Sequence, residues 1–319
     1  MQLCQVALSG RESLDVTASW YRDGLGFIAA GGASFAGPDI AEVQGIDAAL
    51  VDINLMWLVD RSDFMQLELF RYNAPVARAR RDDWSIRDVG YNLLCVHVLD
   101  FDRTLAALAG IGTSPLTAPH GVRGERRVCV HDPNSTLIEL MERDVGFEGA
   151  AATARPQVNA AIRGVRATVR DLTLSRQFLV DTIGLQIAQL ACHGPAHEAL
   201  WGHSGRAAQT LTLTDGRSFV ELADYGSATR ARRSDYQICD EGILNIAIGD
   251  AQQAPYRRTR DCVANAGPYA VHRELVLRPD LEVNYVTDEQ GFSVELFYMG
   301  ALAQAEFGFS PLAAHTASR

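Results

Sequence analysis

Hydrophobic residues along this chain fall into two spacings that take turns. Leu3-Cys4-Gln5-Val6-Ala7-Leu8 is an apolar run of strand type. From about Ser13 the apolar residues Val16, Trp20, Tyr21 and Leu25 recur at the spacing of one helix face. Gly24 and Gly26 close that helix, because glycine accepts the left-handed conformation in which helices commonly end. Strands are expected near 52–59 and 64–70, and the charged, arginine-rich stretch 78–87 reads as a connecting loop. Then the pattern repeats. Gly90-Tyr91-Asn92-Leu93-Leu94-Cys95-Val96-His97-Val98 is a strand. A helix begins after Asp100 and carries Leu105, Leu108 and Ala109, and strands follow near 125–131 and 135–142. Each passage has the order βαβββ.

Residues 147–159 contain Gly, Ala and Pro with little periodicity and read as a linker. Beyond them Ile162-Arg163-Gly164-Val165-Arg166-Ala167-Thr168-Val169 restarts the pattern. Ser175, Phe178 and Ile183-Gly184-Leu185 echo Ser19, Tyr21 and Leu25-Gly26-Phe27. Stretches 210–213 and 219–222 answer 52–59 and 64–70, Gly242-Ile243-Leu244-Asn245-Ile246-Ala247-Ile248 answers 90–98, and strands near 282–287 and 292–298 close the series. The predicted organisation is an N-terminal module at 1–146, the linker at 147–159, a C-terminal module at 160–305 and a tail at 306–319, with poor order beyond Phe307. Two short segments are the most informative. Asp132-Pro133-Asn134-Ser135-Thr136-Leu137-Ile138-Glu139-Leu140 and Asp288-Glu289-Gln290-Gly291-Phe292-Ser293-Val294-Glu295-Leu296 each set one carboxylate in the middle of an apolar strand that follows a turn. A charge so placed must be solvated, paired or bound to something.

Composition narrows the class. The 319 residues suffice for two ordinary domains, and 47% hydrophobic with 21% charged content is that of a soluble globular chain. A formal charge of -10 argues against a nucleic-acid surface and against anionic membranes. No apolar run approaches the ~20 residues of a membrane-spanning helix. The six cysteines form no CxxC pair, and Cys4, Cys95 and Cys129 sit inside apolar strands as small hydrophobes, so a reduced, cytoplasmic protein is expected. The N-terminus lacks the basic-then-hydrophobic pattern of a signal peptide.

With these repeated units and mid-strand carboxylates, the chain resembles the vicinal oxygen chelate superfamily, which includes glyoxalase I, bleomycin-resistance proteins, methylmalonyl-CoA epimerase and extradiol dioxygenases. The resemblance runs from residue 1 to about 300 and is greatest, in length and duplication, to the two-domain extradiol dioxygenases. It implies an α+β fold of four tandem βαβββ units, paired within each module into two open, cupped barrels of mixed β-sheet. It also implies one divalent metal, held from the first and fourth strands of the units. Carried over by position, the candidates are Gln5, Glu68, Leu93 and Glu139 in the N-terminal module and Gly164, Glu221, Asn245 and Glu295 in the C-terminal one. Gln5, Glu68 and Glu139 would offer hard oxygen donors, suited to Mg, Mn or Ca rather than zinc, although the imidazole expected at position 93 is missing. The same carboxylates could instead face solvent or pair with Arg80 or Arg127. The extradiol pattern needs two histidines and one glutamate in the C-terminal module. Only Glu295 stands there, with Tyr285 at the place of a substrate-side tyrosine, so no iron is expected in the family manner.

The function implied is an enzyme acting on a small oxygenated, aromatic or otherwise apolar, metabolite by proton transfer, isomerisation or lyase chemistry, with an incomplete metal-ligand set. Glu68, Glu139 or Glu295 would be the general base, its pKa raised by an apolar pocket. His97 is a candidate proton carrier, Tyr285 a catalytic candidate, and Gln5, Cys95, Glu221, Asn245 and Glu295 candidate ligand contacts. The N-terminal module is expected to be the working one. A non-catalytic small-molecule or antibiotic binder, and a ring-cleaving dioxygenase with unusual ligands, remain open. His193, His197 and His203 cluster at a spacing that fits no helix face. No cofactor is certain beyond the possible divalent ion, and the partner expected is a small molecule, with a homodimer compatible and neither nucleic acid nor membrane bound.

Overall fold

The computed structural model describes residues 1–145, 147, 154–202 and 208–309. Unit one comprises β1 (Gln2–Ser9), α1 (Leu14–Trp20), β2 (Ile28–Gly37), α2 (Pro38–Gln44), β3 (Val51–Val59) and β4 (Gln66–Ala74). Unit two comprises β5 (Gly90–Val98), α3 (Phe101–Gly110), β6 (Arg127–His131) and β7 (Leu137–Met141). Its remaining strand is reduced to a single bridge between His120 and Arg127. Unit three comprises β8 (Ala160–Thr168), α4 (Leu172–Arg176), β9 (Gln186–Ile187), β10 (Gln209–Thr214) and β11 (Phe219–Asp224). Unit four comprises β12 (Gly242–Asp250), α5 (Gln253–Asn265), β13 (Ala270–Val271), β14 (Leu275–Arg278), β15 (Leu281–Thr287) and β16 (Ser293–Met299), followed by α6 (Ala301–Glu306).

Local signals act where the sequence places them. Ser13 caps α1 by accepting the Val16 N–H, and Gly26 ends the continuation of that helix at φ 80°. In every unit the first and last strands lie side by side in parallel, β1 with β4, β5 with β7, β8 with β11 and β12 with β16, and antiparallel strands continue outward. This is an α+β fold built from four tandem units. The long β2 escapes the sequence pattern because its residues, rich in Gly and Ala, carry little periodicity, and α2 is only seven residues long.

The units pair otherwise than expected. β1 runs antiparallel to β12, and β5 antiparallel to β8. One cup is therefore built from units one and four, and the other from units two and three. The pairing expected within 1–146 and within 160–305 is corrected by these two ladders. The 147–159 stretch connects two units of the same cup. The physical reason is that each unit leaves its first strand as an unpaired edge, and any other first strand can satisfy that edge. Among the described residues the sheets of the two cups meet in one strand-paired position, Ile243 with Tyr91.

Strand alternation sends Leu3, Val6 and Leu8 of β1 to a core shared with the helices, and Cys4 and Ala7 to the concave side. A register shift between Leu3 and Gln5 lets Gln5 also turn into the cup. Cys4, Cys95, Cys129, Cys192 and Cys239 are free and buried, and Cys262 is free and exposed. Of the tail, Phe307 stacks 4.3 Å from the Trp57 ring and Phe309 4.8 Å from that of Phe64, so the described end of the chain closes over the first cup. Residues 310–319 lie outside the described residues. No described helix is long and apolar enough to cross a membrane.

Candidate functional site

The cup of units one and four holds two buried carboxylates facing each other from equivalent strands. Glu68 lies on β4 and Glu295 on β16; both are at least nine-tenths buried. Each has an aromatic donor as its cross-strand neighbour. Trp57 Nε1 donates to Glu68 Oε1 at 2.8 Å, and Tyr285 pairs with Glu295. Neither carboxylate has an ion-pair partner among the described residues. Burial pushes the Glu68 carboxyl well up, the Glu295 charge adds to it, and Trp57 opposes it. Burial likewise carries Glu295 to about 8, against a smaller opposing effect of Tyr285. The Tyr285 hydroxyl, raised by burial and then by the Glu295 charge, stays protonated.

Gln5 completes the arrangement, and its orientation follows from its neighbours. Gln66 Nε2 donates to the Phe307 carbonyl at 2.7 Å, which can only accept. Gln66 Oε1 must then accept, and it does so from Gln5 Nε2 at 2.7 Å. The Gln5 oxygen is left 3.3 Å from both Glu68 Oε2 and Glu295 Oε2. A swapped amide would satisfy the carboxylates but would break the chain that ends at Phe307. Three acceptor oxygens thus meet without a donor among them. Such a cluster holds either a shared proton or a hard cation. Asn245 of β12 stands opposite Ala7, on the same face, and both atoms of its buried carboxamide lack a partner. Gln5, Glu68, Asn245 and Glu295, four of the positions singled out in the sequence, thus lie on strands of this one cup, and each side chain carries an oxygen. The cavity above them measures about 570 Å³ out to its mouth and is walled by Ile53, Leu55, Phe70, Val283, Phe297 and Phe307.

The second cup has been built shut around its carboxylates. His193, carried by the segment after β9, reaches between them, with Nε2 3.0 Å from Glu139 Oε2 and Nδ1 2.6 Å from Glu221 Oε2. Arg127 pairs with Glu139 at 2.9 Å and Arg166 with Glu221 at 2.5 Å. Burial alone would neutralise His193, but the two carboxylates outweigh it and hold its pKa at about 9. Burial would raise the glutamates too. His193, with Arg127 at Glu139 and Arg166 at Glu221, overcomes it and holds each at about 2. A protein cation occupies the centre of this cup. The first-strand positions here are Leu93 and Gly164, and a Cβ on Gly164 would fall 2.0 Å from the Phe219 carbonyl oxygen.

The structure thus brings Gln5 and Glu68 together with Asn245, Tyr285 and Glu295, and separates them from Glu139, Glu221 and Cys95. The donor trio Gln5, Glu68 and Glu139 is corrected on this point: Glu139 belongs to the other cup because β7 pairs with β5, not with β4. Cys95 is fully buried opposite Gly164, and burial raises its thiol far above the reactive range. His97 accepts from Arg61 Nη2 at 2.7 Å through Nδ1; burial, with Arg61 and Arg163, brings its pKa to about 4. It is a neutral structural acceptor at pH 7, away from the open cavity. His203 lies outside the described residues. Sequence reasoning missed Trp57 and Phe307, and it missed His193 as the partner of Glu139. The signal for Trp57 was its place across from Glu68, visible once β3 and β4 are registered; His193 carried none.

Solved structures that match 93% of this chain include the two that follow. A Bacillus subtilis protein provisionally described as a dioxygenase is 14% identical, with a TM-score of 0.62 over 84% of its length. Glyoxalase I from Zea mays is 16% identical, with a TM-score of 0.61 over 92% of its length. No family model and no curated sequence matches. The likeness is one of fold, and the chain has the vicinal oxygen chelate fold in its tandem form.

Proposed function

We propose that the cup of units one and four is the working site of an enzyme that moves a proton on a small oxygenated, largely apolar metabolite, with one hard divalent cation held by Gln5, Glu68, Asn245 and Glu295. The observation that carries this reading is the meeting of the Gln5, Glu68 and Glu295 oxygens without a donor, with the unpartnered Asn245 amide on the neighbouring first strand of the same cup. Such a cation would supply Lewis acidity toward a substrate oxygen. The protein's own part is to place the substrate and handle the proton. The apolar wall excludes water. One of the paired glutamates, ionised, accepts a proton from a carbon next to a carbonyl or hydroxyl, and returns it to a neighbouring atom. Trp57 fixes Glu68, and Tyr285, protonated, donates toward Glu295 or a substrate oxygen.

The apolar lining also suits binding without turnover. The donor set speaks against extradiol cleavage, since it contains no imidazole. Equilibrium dialysis with Mn²⁺ and deuterium exchange in D₂O on a panel of hydroxy and oxo compounds test the proposal. One bound ion per chain, lost in Glu295→Gln, together with exchange at one carbon, is expected. Ligand binding with no exchange in any compound would leave a sequestering protein, and retained Mn²⁺ binding in Glu295→Gln would sink the ion site.

A further inference from the structure

The two loops that lead into β5 and β12 carry one motif twice. Arg78-Ala79-Arg80-Arg81, Asp83, Trp84, Ile86, Asp88 and Gly90 recur as Arg230-Ala231-Arg232-Arg233, Asp235, Tyr236, Ile238, Asp240 and Gly242. The copies exchange partners across the line between the cups. Arg78 pairs with Asp235 and Asp240 of the other loop at 2.6 and 2.7 Å, and Arg230 with Asp83 and Asp88 at 2.7 and 2.9 Å. Arg81 and Arg233 add contacts to the aspartates of their own loops. Four arginines thereby engage four aspartates.

The middle arginine of each copy is left over. Arg80 and Arg232 have no ion-pair partner among the described residues. The neighbouring Glu241 carboxylate accepts the Arg80 backbone N–H rather than its guanidinium. Both side chains stack on the aromatic residue of their own motif, Arg80 at 4.4 Å from the Trp84 ring and Arg232 at 4.3 Å from that of Tyr236. Their other hydrogen bonds go to carbonyls: Arg80 to Ser135 and Glu241, Arg232 to Val89 and Gly291. In each, Nη2 has no acceptor among the described residues and lies over the glycine that opens the opposite unit's first strand. Arg80 Nη2 would be 2.7 Å from a Cβ at Gly242, and Arg232 Nη2 3.5 Å from one at Gly90. Both arginines line one cleft of about 640 Å³, outside either cup.

We propose that this cleft binds a small oxyanion of two or more charges, such as a phosphate or a dicarboxylate, through the free edges of Arg80 and Arg232. A guanidinium stacked on an aromatic ring is held in place yet keeps its in-plane donors, the form in which arginine grips phosphate and carboxylate. The missing side chains at Gly90 and Gly242 let each guanidinium lie against the opposite strand's opening residue, at the edge of the cleft.

The test is calorimetric titration of the full chain with inorganic phosphate and, separately, malonate, at fixed ionic strength. Saturable binding of phosphate only, of malonate only, or of both each supports the site and names its source; binding of neither overturns it. In the supported cases Arg80→Gln with Arg232→Gln should weaken binding at least tenfold, while Arg143→Gln, an exposed arginine elsewhere, leaves it unchanged. Unchanged binding in the double variant overturns the proposal. Should the double variant fail to fold, Arg80→Lys and Arg232→Lys, which keep the charge but lose the fork, decide: each should weaken binding severalfold, and wild-type affinity in both would sink it.

Discussion

Glu295 and Glu139 occupy the same position in their repeats, yet their surroundings push them in opposite directions. Glu295 faces another carboxylate and an amide oxygen, so the fold resists its charge; Glu139 faces His193 and Arg127, so the fold needs its charge. Neutral substitution should therefore have opposite effects. With a chelator present at pH 8, Glu295→Gln is expected to raise the Tm, while Glu139→Gln leaves His193 short of one counter-charge and should cost about 3–5 kcal/mol, the usual penalty for breaking a buried pair. Denaturant melts of the two variants check this, and destabilisation by Glu295→Gln would contradict the reading of its site. Gly164→Ala should also destabilise, since its methyl meets the Phe219 backbone and has nowhere to go. Both mid-strand carboxylates were legible in the sequence, because a lone charge in an apolar strand stands out. Their partners were not, because His193, Arg127 and Trp57 reach them from segments whose local pattern says nothing about distance.

The elements show the same division. Strand runs, the start of α1 at Ser13 and its stop at Gly26 follow from residues close in the chain, and the expected positions agree with them. Which unit pairs with which does not. A fragment ending at residue 146 would expose the edges of β1 and β5 that β12 and β8 cover, and would lose half of each cup. It is expected to show no cooperative melt by circular dichroism. Mixed with 154–319 it should regain one, because both antiparallel ladders can then form. A cooperative melt of 1–146 by itself would mean that the units can also close within the N-terminal half.

The whole molecule should respond to pH through both cups, in different windows. The fold favours protonated Glu295, so that contribution is complete below the ordinary carboxylate range and is lost as pH rises through about 8. Asp60 and Asp132, raised by burial to about 6, add a loss that is complete by neutral pH. His193 is raised to about 9, so its share is complete below the ordinary imidazole range and is lost as pH rises from there through about 9, and the share of Glu139 and Glu221 is lost as pH falls toward 2. Chelated wild type should accordingly lose Tm between pH 6 and 8 more steeply than Glu295→Gln, and Mn²⁺ should flatten the wild-type curve. Parallel curves for the two proteins would contradict the coupling of Glu68 and Glu295. By itself the sequence determined the four units, the first and last strand of each, and the carboxylate in that last strand, because period, turn and cap are set by neighbours in the chain. Only the tertiary structure decided that units one and four share a cup, that Gln5 turns its oxygen toward Glu68 and Glu295, and that His193 stands between Glu139 and Glu221. Those choices depend on which free strand edges meet, and residues 60 to 240 positions apart carry no local trace of it.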